Sequence, residues 1–108
     1  MIIADVQTKN QMLQNIMLQK QTLSMQKKEI DNALEEVEKS NDDLYQASGP
    51  VLIKKPKEEI KSYLEEKKED FDLRIKALEK QEKKLTDDIK ESQKSLQAMM
   101  NQKSRTAG

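Results

Sequence analysis

Chemistry on this chain would have to come from carboxylates, amines and thioethers, because its 108 residues include no cysteine and no histidine. Disulfides and thiolate metal sites are therefore excluded, and the commonest general base and metal ligand is missing. Three acidic pairs remain, Glu35-Glu36, Asp42-Asp43 and Asp87-Asp88. Paired acids cleave glycosidic bonds only where a pocket drives their pKa values apart. Sequence position puts these pairs on helix surfaces or in a turn, where they read as solvated faces. No EF-hand spacing surrounds Asn41-Asp42-Asp43, and no glycine-rich phosphate loop occurs. Lys54-Lys55-Pro56-Lys57 could touch phosphates, but Glu58 and Glu59 follow at once, so a charged shoulder is the simpler reading. No catalytic residue, metal ligand or cofactor is expected, and the chain reads as one that holds or tethers.

The thioethers point to binding. All six methionines, at positions 1, 12, 17, 25, 99 and 100, fall in the first 25 or last ten residues. Methionine is unbranched and adaptable, suited to a surface that accepts varied partners. Met12, Met17, Leu18, Met25 and Met100 lie off the seam positions identified below and are expected to be at least partly exposed. Met99 falls on the seam and is expected to pack. Ile2 and Ile3 add apolar surface at the same end. Two occupants remain open for this surface: varied apolar partners, or a neighbouring coil in an oligomer.

The elements that carry these residues follow from spacing. Ile16, Leu23, Ile30, Val37 and Leu44 recur every seven residues, with Val6, Leu13 and Leu34 at the alternate seam position. A second stretch repeats the pattern with Leu64, Phe71, Leu78, Leu85 and Met99, and with Ile75, Ile89 and Leu96. Such spacing keeps one stripe of a helix facing a partner helix. The composition agrees: only 34% of residues are hydrophobic and 37% are charged, too few apolar groups for a compact domain but enough for a narrow stripe. The first helix is expected from near Asp5 to Ser40–Asp42, about 55 Å, and the second from Pro56 to Gln102, about 70 Å. The expected segments are a coiled-coil helix over 1–43, a β-hairpin over 44–55, a second coiled-coil helix over 56–102 and a frayed tail at 103–108.

Between the helices, Val51-Leu52-Ile53 is the only cluster of its kind, and Leu44-Tyr45-Gln46 is placed to oppose it across Ala47-Ser48-Gly49-Pro50. The alternative is an ordinary helix–helix loop, which would have no use for three apolar residues in a row. A lone two-stranded hairpin is marginal in water and leaves unpaired edges. Hairpins from several subunits are therefore expected to pair, making an oligomeric platform. The fold class expected is mainly α, an antiparallel two-helix coiled-coil hairpin with a short β-hairpin at the connection and both chain ends at the far tip. Folding the chain at its centre brings Val37 near Leu64, Ile30 near Phe71, Leu23 near Leu78 and Ile16 near Leu85. The same register sets Lys20 against Glu82, two charges at seam positions. Lys27, Lys68 and Asn41 are further polar seam positions, which suggest a seam held below its maximum stability.

Charge and hydropathy exclude other classes. Twenty basic and twenty acidic residues cancel, giving no general attraction to nucleic acid or anionic lipid. Signs are mixed throughout, whereas a DNA-binding zipper needs a basic block running into its heptads. No run of about 18 apolar residues exists to span a membrane. Met1-Ile2-Ile3-Ala4 is too short for a signal peptide. No nucleic acid and no membrane partner is expected, and the absence of cysteine is compatible with a cytoplasmic location.

Together these features resemble the β-type prefoldin subunits of archaea. Ser48-Gly49-Pro50-Val51-Leu52-Ile53-Lys54 is similar to that family's hairpin turn and second strand. Arg74-Ile75-Lys76-Ala77-Leu78-Glu79-Lys80-Gln81-Glu82-Lys83-Lys84-Leu85 is similar to its second-helix segment, and Gln19-Lys20-Gln21 has the character of its first helix. The resemblance implies a jellyfish-shaped hexamer of two α-type and four β-type subunits, whose hairpins form a β-barrel platform. It implies an ATP-independent chaperone whose coil tips hold non-native polypeptides and deliver them to a group II chaperonin. The implied partners are an α-type subunit, further copies of this chain, unfolded polypeptides and the chaperonin. The platform role then falls to Leu44, Tyr45, Val51, Leu52 and Ile53. Client contact falls to Ile2, Ile3, Val6, Met12, Met17, Leu18, Leu96, Met99 and Met100. The rival reading is a structural coiled-coil adaptor that binds one defined helix.

Overall fold

A computed structural model describes residues 2–107, with side chains for 4–102. The element order is α1 (Ile2–Lys39), β1 (Leu44–Ser48), β2 (Val51–Lys55) and α2 (Lys57–Ala107). The reason for two long helices is plain in the sequence. Apart from the C-terminal Gly108, every glycine and proline lies between Gly49 and Pro56, so nothing inside either helix removes an amide or adds backbone freedom. The helices form two compact units. One is Gln21–Lys76, holding the hairpin, and the other combines the earlier part of α1 with the later part of α2.

Within the Gln21–Lys76 unit, partly or fully buried residues recur in steps of three and four. They are Leu23, Lys27, Ile30, Leu34 and Val37 on α1, and Lys61, Leu64, Lys68, Phe71 and Ile75 on α2. In the other unit the same steps run through Val6, Lys9, Leu13, Ile16 and Lys20, and through Leu78, Glu82, Leu85, Ile89, Ser92 and Leu96. That rhythm averages 3.5 residues, the repeat that holds a stripe against one partner. The buried core among the described residues is Ile16 and Ile89 in one unit and Ile30, Val37 and Ile60 in the other. Each such side chain contributes about 1.5–3 kcal/mol on burial.

Ile60 lies outside both heptad stripes read from the sequence. It is 8% exposed, in the first turn of α2. The Pro56 carbonyl accepts bonds from the amides of Glu59 and Ile60, which starts α2 immediately after a proline with no amide to lose. Pro56 therefore precedes the helix rather than opening it. Nearby, the Lys57 ammonium donates to the Glu38 and Ser40 carbonyls at 3.1 and 3.4 Å. Those are carbonyls that the end of α1 leaves without helical partners, and a cation is favourable there.

Other bounds also differ from the expected ones. α1 starts at Ile2, so Asp5 lies in the first turn, where it pairs with Lys9 one turn on. At its far end α2 continues to Ala107; the tail expected at 103–108 has side chains outside the described residues. β1 extends through Ser48, two residues beyond the expected Leu44–Gln46, and the loop shrinks to Gly49-Pro50. The physical reason is the turn type. Gly49 has φ 59°, and the proline ring holds its own φ near about −65°. A positive first residue followed by a negative second one is the II′ pattern, whose twist matches paired strands and needs only two residues.

Ion pairs fix the pairing direction inside each unit. Glu38 meets Lys61, Asp31 meets Lys68 and Lys27 meets Asp72. Moving seven and then four residues back along α1 corresponds to moving seven and then four forward along α2. The two segments are therefore antiparallel. In the other unit the Lys20 ammonium donates to Glu82 Oε1 at 3.2 Å, the seam pair expected from the sequence.

Four of the five lysines on these stripes thus have an acid across the helix pair, while Lys9 pairs with Asp5 on its own helix. Lys27 and Lys68, expected to weaken the seam, are matched by Asp72 and Asp31 on its flanks, and Lys61 by Glu38. The hydrogen bond from Lys61 holds the Glu38 carboxyl below the ordinary carboxylate range, and the one from Lys27 does the same for Asp72. Lys61 and Lys68 are raised by the bonds they make.

Lys20 and Glu82 are each less than a third exposed, so like charges there would be poorly screened. Lys20→Glu is expected to lower stability by about 1–2 kcal/mol, seen as a fall in thermal midpoint. The double exchange Lys20→Glu with Glu82→Lys should recover most of that loss. Failure of the exchange to rescue would show that the pair does not set register.

Candidate functional site

Two separate surfaces carry exposed apolar side chains. The first is the hairpin. Antiparallel register pairs Leu44 with Lys55, Tyr45 with Lys54, Gln46 with Ile53, Ala47 with Leu52 and Ser48 with Val51. Directly paired residues share a face, and faces alternate along a strand. Tyr45, Ala47 and Leu52 therefore lie on one face, and Leu44, Val51 and Ile53 on the other. Tyr45 is 57% exposed, Val51 55%, Leu52 69% and Ile53 43%, while Leu44 is partly buried. Apolar groups on both faces of a two-stranded sheet with open edges leave it unfinished as a structure in water. The Lys54 ammonium pairs with Asp43 at 3.1 Å and Lys55 with Glu59 at 3.5 Å, so the basic run beside the strand is already engaged with carboxylates.

The second surface lies in the unit that carries the earlier part of α1 and the later part of α2. Met12, Met17, Leu18, Met99 and Met100 are each about half exposed or more. Val6 and Leu96 are partly buried at seam positions and offer less surface. The side chains of Ile2 and Ile3 lie outside the described residues. Met99 corrects the expectation that it packs, since it is 57% exposed.

Among the described residues no three histidine, cysteine or carboxylate groups are placed to hold a metal ion. In the groove bordered by Asp31, Glu38, Lys61 and Lys68, the Asp31 and Glu38 carboxylates are engaged by lysines rather than set against each other. Among the described residues no helix is long and apolar enough to cross a membrane.

Comparison with known proteins agrees with this geometry. The profile of the family described as "Prefoldin subunit" matches residues 1–103. The chain belongs to the prefoldin subunit family. It is 35% identical to "Prefoldin subunit beta" of Archaeoglobus fulgidus, over 93% of this chain and 88% of that protein. Against the same subunit of Pyrococcus furiosus the identity is 35%, covering 92% and 86%. The crystal structure of the prefoldin beta subunit from Thermococcus strain KS-1 superposes with a TM-score of 0.87 at 31% identity, covering 91% of this chain and 88% of that one. The prefoldin likeness thus extends from the hairpin and second-helix segments, where the sequence first shows it, to nearly the whole chain. It favours a chaperone subunit over a single-partner adaptor.

Sequence reasoning passed over several residues of this prefoldin-family chain. Tyr63 and Leu73 are exposed on α2 outside both stripes; Tyr63 lies beneath the Lys67 ammonium at 5.1 Å. The flanking acids Glu38, Asp31 and Asp72 were also missed. Their signal is present in the sequence as acids opposite seam lysines, but it becomes visible only once the register is known.

Proposed function

We propose that this chain is a β-type subunit of an ATP-independent holdase that binds non-native polypeptides and passes them to a group II chaperonin. The observation that carries the reading is that most exposed apolar side chains gather in two places of different character, with Met25, Tyr63 and Leu73 apart from them. Rigid β-branched and aromatic groups sit on a hairpin, suited to a fixed interface, and flexible thioethers sit on the helix ends, suited to varied ones.

In this reading residues 44–55 form the oligomerisation segment, through Leu44, Tyr45, Val51, Leu52 and Ile53. Hairpins of an α-type subunit and of further copies of this chain close into a barrel that removes their edges. The coils 1–43 and 56–102 carry the client surface of Ile2, Ile3, Val6, Met12, Met17, Leu18, Leu96, Met99 and Met100. Each contact is weak and adaptable, and several around one particle raise the effective concentration of binding groups. The work is binding without a catalytic step, with no cofactor, and it suits the cytoplasm.

The test combines this chain with an archaeal α-type prefoldin subunit. Native mass is expected to report a hexamer with four copies of this chain. That particle should suppress light scattering by several unrelated unfolded proteins without nucleotide. Saturable binding to one defined partner, with no protection of arbitrary clients, would overturn the proposal in favour of the adaptor.

A further inference from the structure

With no cysteine in the chain, the only sulfur atoms are thioethers, and every methionine with a described side chain is open to solvent. Met12, Met17, Met99 and Met100 are 49–60% exposed and lie in one unit, and Met25 is exposed in the other. The buried side chains, by contrast, are Ile16, Ile30, Val37, Ile60 and Ile89. Every described thioether thus lies on the surface, and none of the buried core side chains among the described residues carries sulfur. That separation has a chemical consequence, because a thioether is the one apolar side-chain group here that a peroxide converts readily to a polar one.

We propose that Met12, Met17, Met99 and Met100 are peroxide-sensitive modification sites whose oxidation lowers client binding without unfolding the chain. In each step the sulfur lone pair attacks the terminal oxygen of a hydroperoxide. The O–O bond breaks, an S=O bond forms, and the peroxide leaves as water or an alcohol. Sulfur is oxidised by two electrons and the peroxide is reduced by two. The product sulfoxide is polar and chiral, so a flexible apolar contact becomes one that prefers water. Ile16 and Ile89 carry no sulfur, and the Lys20–Glu82 pair is untouched, so the helix pairing beneath the site persists. Leu18 stays apolar, so the loss is large but incomplete. The inference rests on the proposed holdase function, and it adds a reversible chemical control to that surface.

The experiment treats the full-length chain, assembled with its α-type partner, with hydrogen peroxide, and follows sulfoxide at each methionine by peptide mass. Native mass and helical circular dichroism should stay unchanged. The concentration needed to suppress client aggregation should rise at least about tenfold, since small losses at each of several contacts multiply. Methionine sulfoxide reductases acting on both epimers should reverse the rise. A variant carrying leucine at all four positions, judged against its own untreated value, should show no peroxide effect. Undiminished suppression by protein oxidised at all four sites would overturn the inference alone, as would an equal peroxide effect on the leucine variant. Absence of suppression by the untreated particle would overturn the holdase reading and the inference together.

Discussion

Replacing Leu52 and Ile53 by serine is expected to abolish assembly while leaving the helix content of the chain unchanged. Leu52 is 69% exposed and Ile53 43%, so neither supports the fold of the isolated subunit to any large degree. The strand register sets them on opposite faces of the sheet, so both faces lose an apolar contact. Burying an aliphatic side chain is worth about 1.5–3 kcal/mol. Two of them at one subunit contact amount to about 3 kcal/mol or more, on the order of 100-fold in affinity. A ring of subunits loses that amount at each contact, so native mass should shift from the assembled particle to the free chain. A particle that persisted with both serines would show that the hairpin is not the assembly element.

Removing Met1–Met12 together with Leu96–Gly108 is expected to have the opposite signature: assembly retained, aggregation suppression lost. The deletion takes away Met12, Met99 and Met100, all exposed, with Val6 and Leu96 at the last seam positions. It leaves Ile16, Ile89 and the Lys20–Glu82 pair to hold the remaining helix ends together. Nothing in the hairpin unit Gln21–Lys76 is altered. In the proposed mechanism several weak contacts hold a client at once, so losing most of them on each subunit should reduce binding far more than in proportion. The measurement is client light scattering in parallel with native mass. Suppression that survived the deletion would place the client surface elsewhere on the coils.

Much of the architecture was legible in the residues. Heptads through Ile16, Ile30 and Val37 and through Leu64, Leu78 and Leu85 marked the buried stripes. The Gly49-Pro50 pair marked the turn, and Lys20 with Glu82 marked a cross-helix pair now seen at 3.2 Å. The candidate surfaces were legible in part: Met12, Met17, Leu18, Met25 and Met100 could be read as exposed because they fall off the seam, and Leu52 because a lone two-stranded hairpin leaves it uncovered. The extra burial of Ile60, the exposure of Met99 and the five-residue first strand could not be read in the same way.

The division between the two has a physical origin. A stripe on a helix depends on residues three and four apart in one chain segment, so sequence alone determined that there are two long amphipathic helices and a tight turn. What covers a given position depends on a different segment: where the partner helix begins, how the turn twists and which register results. Met99 keeps the seam spacing yet is 57% exposed. Lys27 and Lys68 occupy seam positions yet are matched, because antiparallel pairing brings Asp72 and Asp31 to their flanks. Those outcomes are non-local, and only the tertiary structure decided them.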